Sequence, residues 1–218
     1  LYEDELFQNI FIISGYTGTG KTLMLDQLSK LGAQVIDLEK LANHKGSIFG
    51  SQPNGQPSQK KFEGRIHHLL KNFNNQLPIF IESESSKIGY VKIPPALWKK
   101  MKHSPHFELT SENDLRAIFL STQYPELYND TNKLLNKIDL LKEFHRSEII
   151  NSWRNLIEKR DFFTLAKGLI EIHYDPKYKN STNYRETSKI QEIHLDPNIK
   201  KNVAEIANLI LENANKIL

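Results

Sequence analysis

The 218-residue chain contains no cysteine. Disulfides, cysteine-bound metals and cysteine nucleophiles are therefore excluded from it, while its redox compartment stays open. It also lacks any uninterrupted apolar run near the roughly 20 residues that a membrane-spanning helix needs. Its acidic start, LYEDELF, does not have the basic-then-apolar order of a secretory signal. No membrane partner is expected, the cytoplasm is the default location, and a start at Leu1 rather than methionine points to a trimmed piece or one end of a larger protein. A strong charge bias is missing too, since 29 Lys and Arg against 26 Asp and Glu leave a net charge of +3. Such a balance admits a nucleic acid or an anionic metabolite as partner and demands neither. There is no internal repeat. The eight histidines have no HxxxH metal spacing, and adjacent His67 and His68 on one expected helix do not face each other.

What is present is GYTGTGKT, which places Gly15, Tyr16, Thr17, Gly18, Thr19, Gly20, Lys21 and Thr22 in full register with GxxxxGK[ST]. It follows the apolar run Phe11, Ile12 and Ile13 and precedes the apolar helical positions Leu23, Leu25 and Leu28. Glycines let the backbone turn tightly and aim several N–H groups at one oxygen-rich ligand, and the following helix adds the positive end of its dipole. In this pattern Lys21 reaches the terminal phosphates and the Thr22 hydroxyl sits on magnesium. A glycine turn that merely closes a strand is the bland alternative, and the length of the pattern argues against it.

Around the motif the chain alternates strands and helices, so the expected class is α/β: a P-loop NTPase-like parallel sheet flanked by helices. One domain over residues 1–218 is expected, with residues 111–180 as a helical lid or insertion. Asn9–Ser14 reads as the first strand and Lys21–Leu31 as the helix leaving the phosphate loop. GAQVIDLE gives a second strand with Asp37 and Glu39 at its carboxyl end, where open parallel sheets place their chemistry. Ala42–Pro57, rich in Gly, Asn, Ser and Pro, is expected to be a long active-side loop, or else a simple linker. A helix with Phe62, Ile66, Leu69, Leu70 and Phe73 on its apolar side follows, then a third strand in LPIFIESES. P-loop enzymes hold magnesium or its waters with a carboxylate on a neighbouring strand. Glu82, after Ile79, Phe80 and Ile81, is the first candidate and Asp37 the second, with Glu84 close by. A solvated strand end is the alternative.

SSKIGYVKIP then reads as a loop carrying Lys87 and Lys92, PPALWKKMKHSP as a short helix and His106–Leu109 as a strand. TSENDLRAIFL opens on an expected capping box, Ser111 to Asp114, and carries Arg116. That arginine is either a lid residue neutralising phosphate or a salt-bridged helical residue. Three amphipathic helical patterns follow between Leu134 and Ile170. EIHYDPKYKNS breaks the regularity and gathers His173, Tyr174, Asp175 and Tyr178 beside Pro176. A proline turn presenting these groups to a substrate and a helix end packed over the core are equally natural here. KIQEIHLDPN reads as the last strand, before a final helix on Val203, Ile206, Ala207, Ile210 and Leu211.

Several separate stretches together resemble the P-loop domain of tRNA 2-selenouridine synthase: SGYTGTGKT, GAQVIDLEKLANHKGSIFG, QPSQKKFE, IFIESESSKIG, IPPALWKKM and EIHYDPKYKNS. They cover much of Ser14–Ser181 and are collectively far more specific than the phosphate loop alone. The resemblance implies a transferase acting on the wobble uridine of certain tRNAs, which replaces the sulfur of 5-substituted 2-thiouridine with selenium from selenophosphate. It also implies S-geranylation of that sulfur from geranyl diphosphate as a step of the exchange. A rhodanese-like domain or subunit carrying a cysteine is the implied partner. On this resemblance Gly18–Thr22 cradle a diphosphate, with Lys21 stabilising negative charge and Thr22 helping to bind Mg2+. His44, Lys45 and Gly46, with Gln56, Ser58 and Gln59, are implied to close over the site, the alternative being a loop that serves mainly to assemble the two domains. Glu82, Glu84, Ser86 and Lys87 connect phosphate chemistry to tRNA placement. Lys45, Lys60, Lys61, Lys87, Lys99, Lys100, Lys177 and Lys179 are the basic groups available to tRNA phosphates. An ATP- or GTP-dependent kinase-like reaction, and a noncatalytic nucleotide-controlled tRNA-binding subunit, use the same loop and remain the alternatives.

Overall fold

The fold is that of a computed structural model, which describes residues 9–182 and 189–218, without the side chains of residues 126, 127 and 179–182. The start LYEDELF and the side chain of Lys179 lie outside the described residues. The elements run β1 Ile10–Gly15, α1 Lys21–Lys30, β2 Gln34–Ile36, α2 Leu38–Ala42, α3 Gln59–Asn72, β3 Ile79–Glu82, β4 Lys87–Ile88, β5 Val91–Lys92, α4 Pro95–His103 and β6 His106–Thr110. Then come α5 Asn113–Gln123, α6 Pro125–Tyr128, α7 Thr131–Asp139, α8 Ser147–Glu158, α9 Phe162–Leu169 and α10 Asp175–Thr182. β7 Lys189–His194 and α11 Lys200–Ile217 complete the chain.

Five strands form a parallel sheet in the order β2-β3-β1-β6-β7, with β1 in the middle. Central strands need apolar side chains on both faces, and IFII supplies them. Ile10 and Ile12 enter a core with α3, α4 and the β4–β5 segment, while Phe11 and Ile13 enter the opposite core with α1 and α11. The sheet is thus covered on both sides, as the sequence predicts for a P-loop-type α/β fold. Because β1 is central, the turn at its carboxyl end opens between β3 and β6 and faces the ends of both.

Between β6 and β7 the chain is helical, with its own core of Leu134, Ile138, Leu141, Ile150, Trp153, Ile157, Leu165 and Leu169. Phe49, from the long loop after α2, is buried in that same core. The loop is therefore no free linker. Lys45 Nζ donates to Gln123 O at 2.9 Å, and Lys137 Nζ donates to Ile48 O at 3.2 Å and Ser51 Oγ at 2.6 Å.

Four local expectations are corrected. The second strand stops at Ile36, because the Asp37 carboxylate accepts from Lys40 N at 2.7 Å and starts α2, so Glu39 is helical. SSKIGYVKIP is a hairpin rather than a loop, closed by the two-residue turn Gly89-Tyr90. The capping box at Ser111 does not form, since α5 starts at Asn113 with Glu112 before it and the Ser111 hydroxyl is buried without a partner among the described residues. EIHYDPKYKNS does not break the helical path. A π-helical turn over Ile170–Tyr174 precedes Pro176, which falls in the first turn of α10, where a missing N–H matters least.

Candidate active site

The phosphate loop forms because β1 ends at Gly15 and α1 begins at Lys21, leaving a short turn to reverse direction. Gly15 has φ +144°, and a Cβ there would lie 2.4 Å from Leu109 O and 2.6 Å from Thr19 Oγ1. Only glycine fits. Tyr16 O accepts from Thr19 N at 3.2 Å and from Thr19 Oγ1 at 2.9 Å, which tightens the turn. Lys21 Nζ bridges it, donating to Gly15 O at 2.8 Å and Tyr16 O at 3.3 Å. Gly20 occupies the start of α1 and no side chain among the described residues caps that end, which leaves its first N–H groups for an anion. Thr22 is exposed in the first turn.

A second cluster faces this turn. Ile13 of β1 pairs in register with Glu82 of β3, which brings that carboxylate beside the strand that leads into the loop. Glu82 is only 1% exposed. Its Oε1 accepts the Glu39 N–H at 3.0 Å, at the start of α2, while its Oε2 has no partner among the described residues. Glu39, Glu82 and Glu84 place carboxylate oxygens within 4.8 Å of one another. Burial, then Glu39 and Glu84, hold Glu82 well above the usual carboxylate range. Burial and the neighbouring Glu84 push Glu39 up to about 8, against the pull of the Lys21 ammonium. All donors are hard oxygens and one buried oxygen is unpaired, which fits a small divalent cation such as Mg2+.

Gly46 covers the cluster. At φ +63°, a Cβ there would sit 2.5 Å from Glu39 Oε1 and 3.0 Å from Glu84 Oε2. The loop that carries it is held by Phe49 and Lys45 in the helical region, so that region sets how closely the carboxylates are covered.

The helical region also grips the phosphate loop directly. Arg116, 2% exposed, donates to Asp175 at 2.6 and 2.9 Å and through Nε to Thr17 O at 2.8 Å. Its guanidinium lies 5.2 Å from the Tyr16 ring centre, on which the Tyr178 ring also packs at 4.6 Å. Tyr178 Oη accepts the Gly15 N–H at 3.0 Å. Arg116, Asp175 and Tyr178 thus brace the loop rather than project into open space.

The remaining sequence candidates separate. Asp37 caps α2 and influences Glu39 and Glu82 only through its charge. Gln56 Nε2 donates to Ile88 O and Ala42 O, and its Oε1 accepts from Tyr90 N. Ser58 caps α3, and Gln59 binds both backbone groups of Lys92. Ser86 and Lys87 are exposed at the hairpin. His44 is partly buried, with Nδ1 unpaired among the described residues and its pKa lowered by burial and then Lys137. His173 is buried with Nδ1 2.9 Å from His145 Nε2, and Tyr174 is hydrogen-bonded to Ser47 of the long loop. Glu39 is the residue that sequence reasoning passed over in favour of Asp37. The signal was an N-cap aspartate, which spends its own oxygens on the helix and turns the glutamate two residues later towards the sheet.

A family model for the tRNA 2-selenouridine synthase AAA domain matches residues 8–160, a span that holds the phosphate loop and all three carboxylates. The chain belongs to the tRNA 2-selenouridine synthase family. It is 33% identical over 210 residues to the tRNA 2-selenouridine synthase of Marinobacter nauticus, covering 84% of this chain and 55% of that protein. It is 42% identical over 96 residues to that of Verminephrobacter eiseniae, covering 43% of this chain and 25% of that protein. The chain spans about half the length of curated relatives such as the Marinobacter protein. Among solved structures, a shikimate kinase from Bacteroides thetaiotaomicron overlaps 94% of this chain and 96% of that one at 12% identity and a TM-score of 0.39. The architecture of this P-loop domain is established by its own sheet order.

Proposed function

We propose that this chain is the phosphate-binding transferase portion of a tRNA 2-selenouridine synthase, activating the 2-thiouridine sulfur of the wobble base with geranyl diphosphate. The observation that carries the reading is the facing pair of sites in a chain of this family: an uncapped helix start with Lys21, and three crowded carboxylates beside it. Together they suit a diphosphate with its metal ion.

The sulfur lone pair attacks C1 of the geranyl group, the C1–O bond breaks, and diphosphate leaves with the bonding electrons. The thiocarbonyl becomes an S-alkyl group and the uridine N3 proton is released. Lys21 and the N–H groups of Gly18–Thr22 bind the charge that develops on the leaving oxygens. Gly46 and its loop exclude water from the carboxylates. Glu39, Glu82 and Glu84 would hold Mg2+, which when bound would supply Lewis-acid neutralisation of the diphosphate charge. The selenium of selenophosphate then attacks C2, the C2–S bond breaks and geranylthiolate leaves, and water cleaves the Se–P bond to release phosphate as N3 regains its proton, with a rhodanese-like cysteine domain as partner.

The test is incubation of the chain with thiolated tRNA and geranyl diphosphate, with and without the rhodanese-like partner, and mass spectrometry of the nucleosides. An S-geranyl nucleoside, lost in Lys21→Ala, is expected. No such product under either condition, with turnover of ATP or GTP instead, assigns the site to nucleotide chemistry and sinks the reading.

A further inference from the structure

The β4–β5 hairpin carries features that neither the phosphate loop nor the carboxylates use. In a chain nearly balanced in charge, Ser85–His103 holds five lysines and no carboxylate. Lys87 and Lys92 are both exposed and directly opposite each other in the antiparallel pair. Like charges in that position destabilise a hairpin, so an anion lying between them would remove a built-in repulsion. Lys60 and Lys61 are exposed at the start of α3, immediately after Gln59, which binds Lys92.

At the tip, Tyr90 is 90% exposed, although Ile88 and Val91 on either side are buried. This exposure does not come from a loose turn. Gln56 binds Ile88 O at 2.9 Å and Tyr90 N at 2.7 Å, and Gln59 binds Lys92 O and N at 2.8 Å each. Two glutamine side chains act as a third strand along the hairpin edge. Gly89, with φ +57°, supplies the turn. An aromatic ring is thus presented from a hydrogen-bonded backbone, on a hairpin with paired cations, in the segment that follows the Glu82 and Glu84 strand end.

We propose that this hairpin docks the RNA: the Tyr90 ring stacks on an unpaired nucleobase of the tRNA anticodon loop, and Lys87 and Lys92 hold the adjoining phosphates. A ring face plus flanking cations suits a splayed single-stranded base, because every base offers a π-face and the backbone supplies the anion. Gln56 and Gln59 are positioning residues for this surface. The proposal rests on the reading that the chain acts on tRNA.

Fluorescence anisotropy with an anticodon stem-loop bearing 2-thiouridine at the wobble position tests it on the 218-residue chain. Tyr90→Ala should weaken binding about tenfold and Tyr90→Phe should restore it, with thermal stability unchanged because the ring is exposed. Replacing Lys87 and Lys92 together by Gln should reduce the slope of log affinity against log salt by about 1.4. Equal binding by the Tyr90→Ala variant overturns the hairpin assignment while leaving the tRNA reading intact. Loss of association with a protein partner, with RNA affinity kept, also overturns it and assigns the hairpin to that partner. No RNA binding by the unsubstituted chain sinks both.

Discussion

Replacing Glu82 with glutamine should stabilise the metal-free protein while removing its response to magnesium. Glu82 is buried, with one oxygen accepting the Glu39 N–H and the other unpaired. Glutamine keeps the acceptor and turns the orphaned oxygen into a donor facing two carboxylates. Two full charges at the 4.8 Å limit of the cluster repel by about 3 kcal/mol at an effective dielectric near 20. Proton uptake already relieves part of this, since Glu39 is pushed up to about 8 and Glu82 is raised as well. The expected gain near that pH is about 2 kcal/mol, or about 4–8 °C in Tm for a chain of this length. Saturating Mg2+ should raise the Tm of the unsubstituted chain and leave the variant nearly unmoved. Thermal melting in EDTA and in magnesium reads both effects. A variant that melts lower in EDTA would show that the cluster is not strained by charge, and one that keeps the magnesium shift would show that it is not a metal site.

Three further outcomes follow from the same geometry. Gly46→Ala should weaken magnesium binding about tenfold or more, because the Cβ enters the 2.5 Å approach to Glu39 Oε1 at a φ of +63°; unchanged metal titration calorimetry would contradict the covering role. Arg116→Ala leaves Asp175 unpaired in a largely buried site and should cost about 3–5 kcal/mol in urea unfolding, together with weaker diphosphate binding as Thr17 and Tyr16 lose their brace. Stability should also follow pH in two opposed ways. His173 is lowered to about 4 by burial, then Lys177 and His145, so the unfolded chain protonates first and stability is lost as pH falls from 6.5 towards 4. Glu39 is raised from 4.5 to about 8, so its contribution is present at low pH and is lost as pH rises through that window. His173 offsets Glu39 from about 4.5 to 6.5, and above 6.5 metal-free stability should decline by about 1.4 kcal/mol per pH unit for each proton the cluster releases, the raised Glu82 acting in the same direction as Glu39. Urea midpoints across that range measure it, and a profile that keeps rising above 6.5 would refute the carboxylate assignment.

The sequence by itself determined whatever depends on neighbours along the chain. The phosphate loop is a contiguous pattern, its glycines are needed for local reasons, and the apolar run of β1 with the helical spacing of α1 and α3 follows from periodicity alone. The family resemblance had the same origin, in short stretches that keep their own order. The α/β class was therefore legible before any contact was known.

Tertiary structure decided which chemistry-bearing residues meet. Glu39 joined the carboxylates because Asp37 was taken up in capping α2 and because parallel pairing set Glu82 beside Ile13, two facts separated by many residues. Arg116 and Tyr178, which the sequence leaves open between a ligand-facing and a packed role, lie against the phosphate loop, because Asp175 and the Gly15 N–H satisfy them across the fold. Gln56 and Gln59, read as closing residues, hold the hairpin backbone instead. Hydrogen-bond partners and charge repulsion act through space, and only the folded sheet brings those groups within a few ångströms.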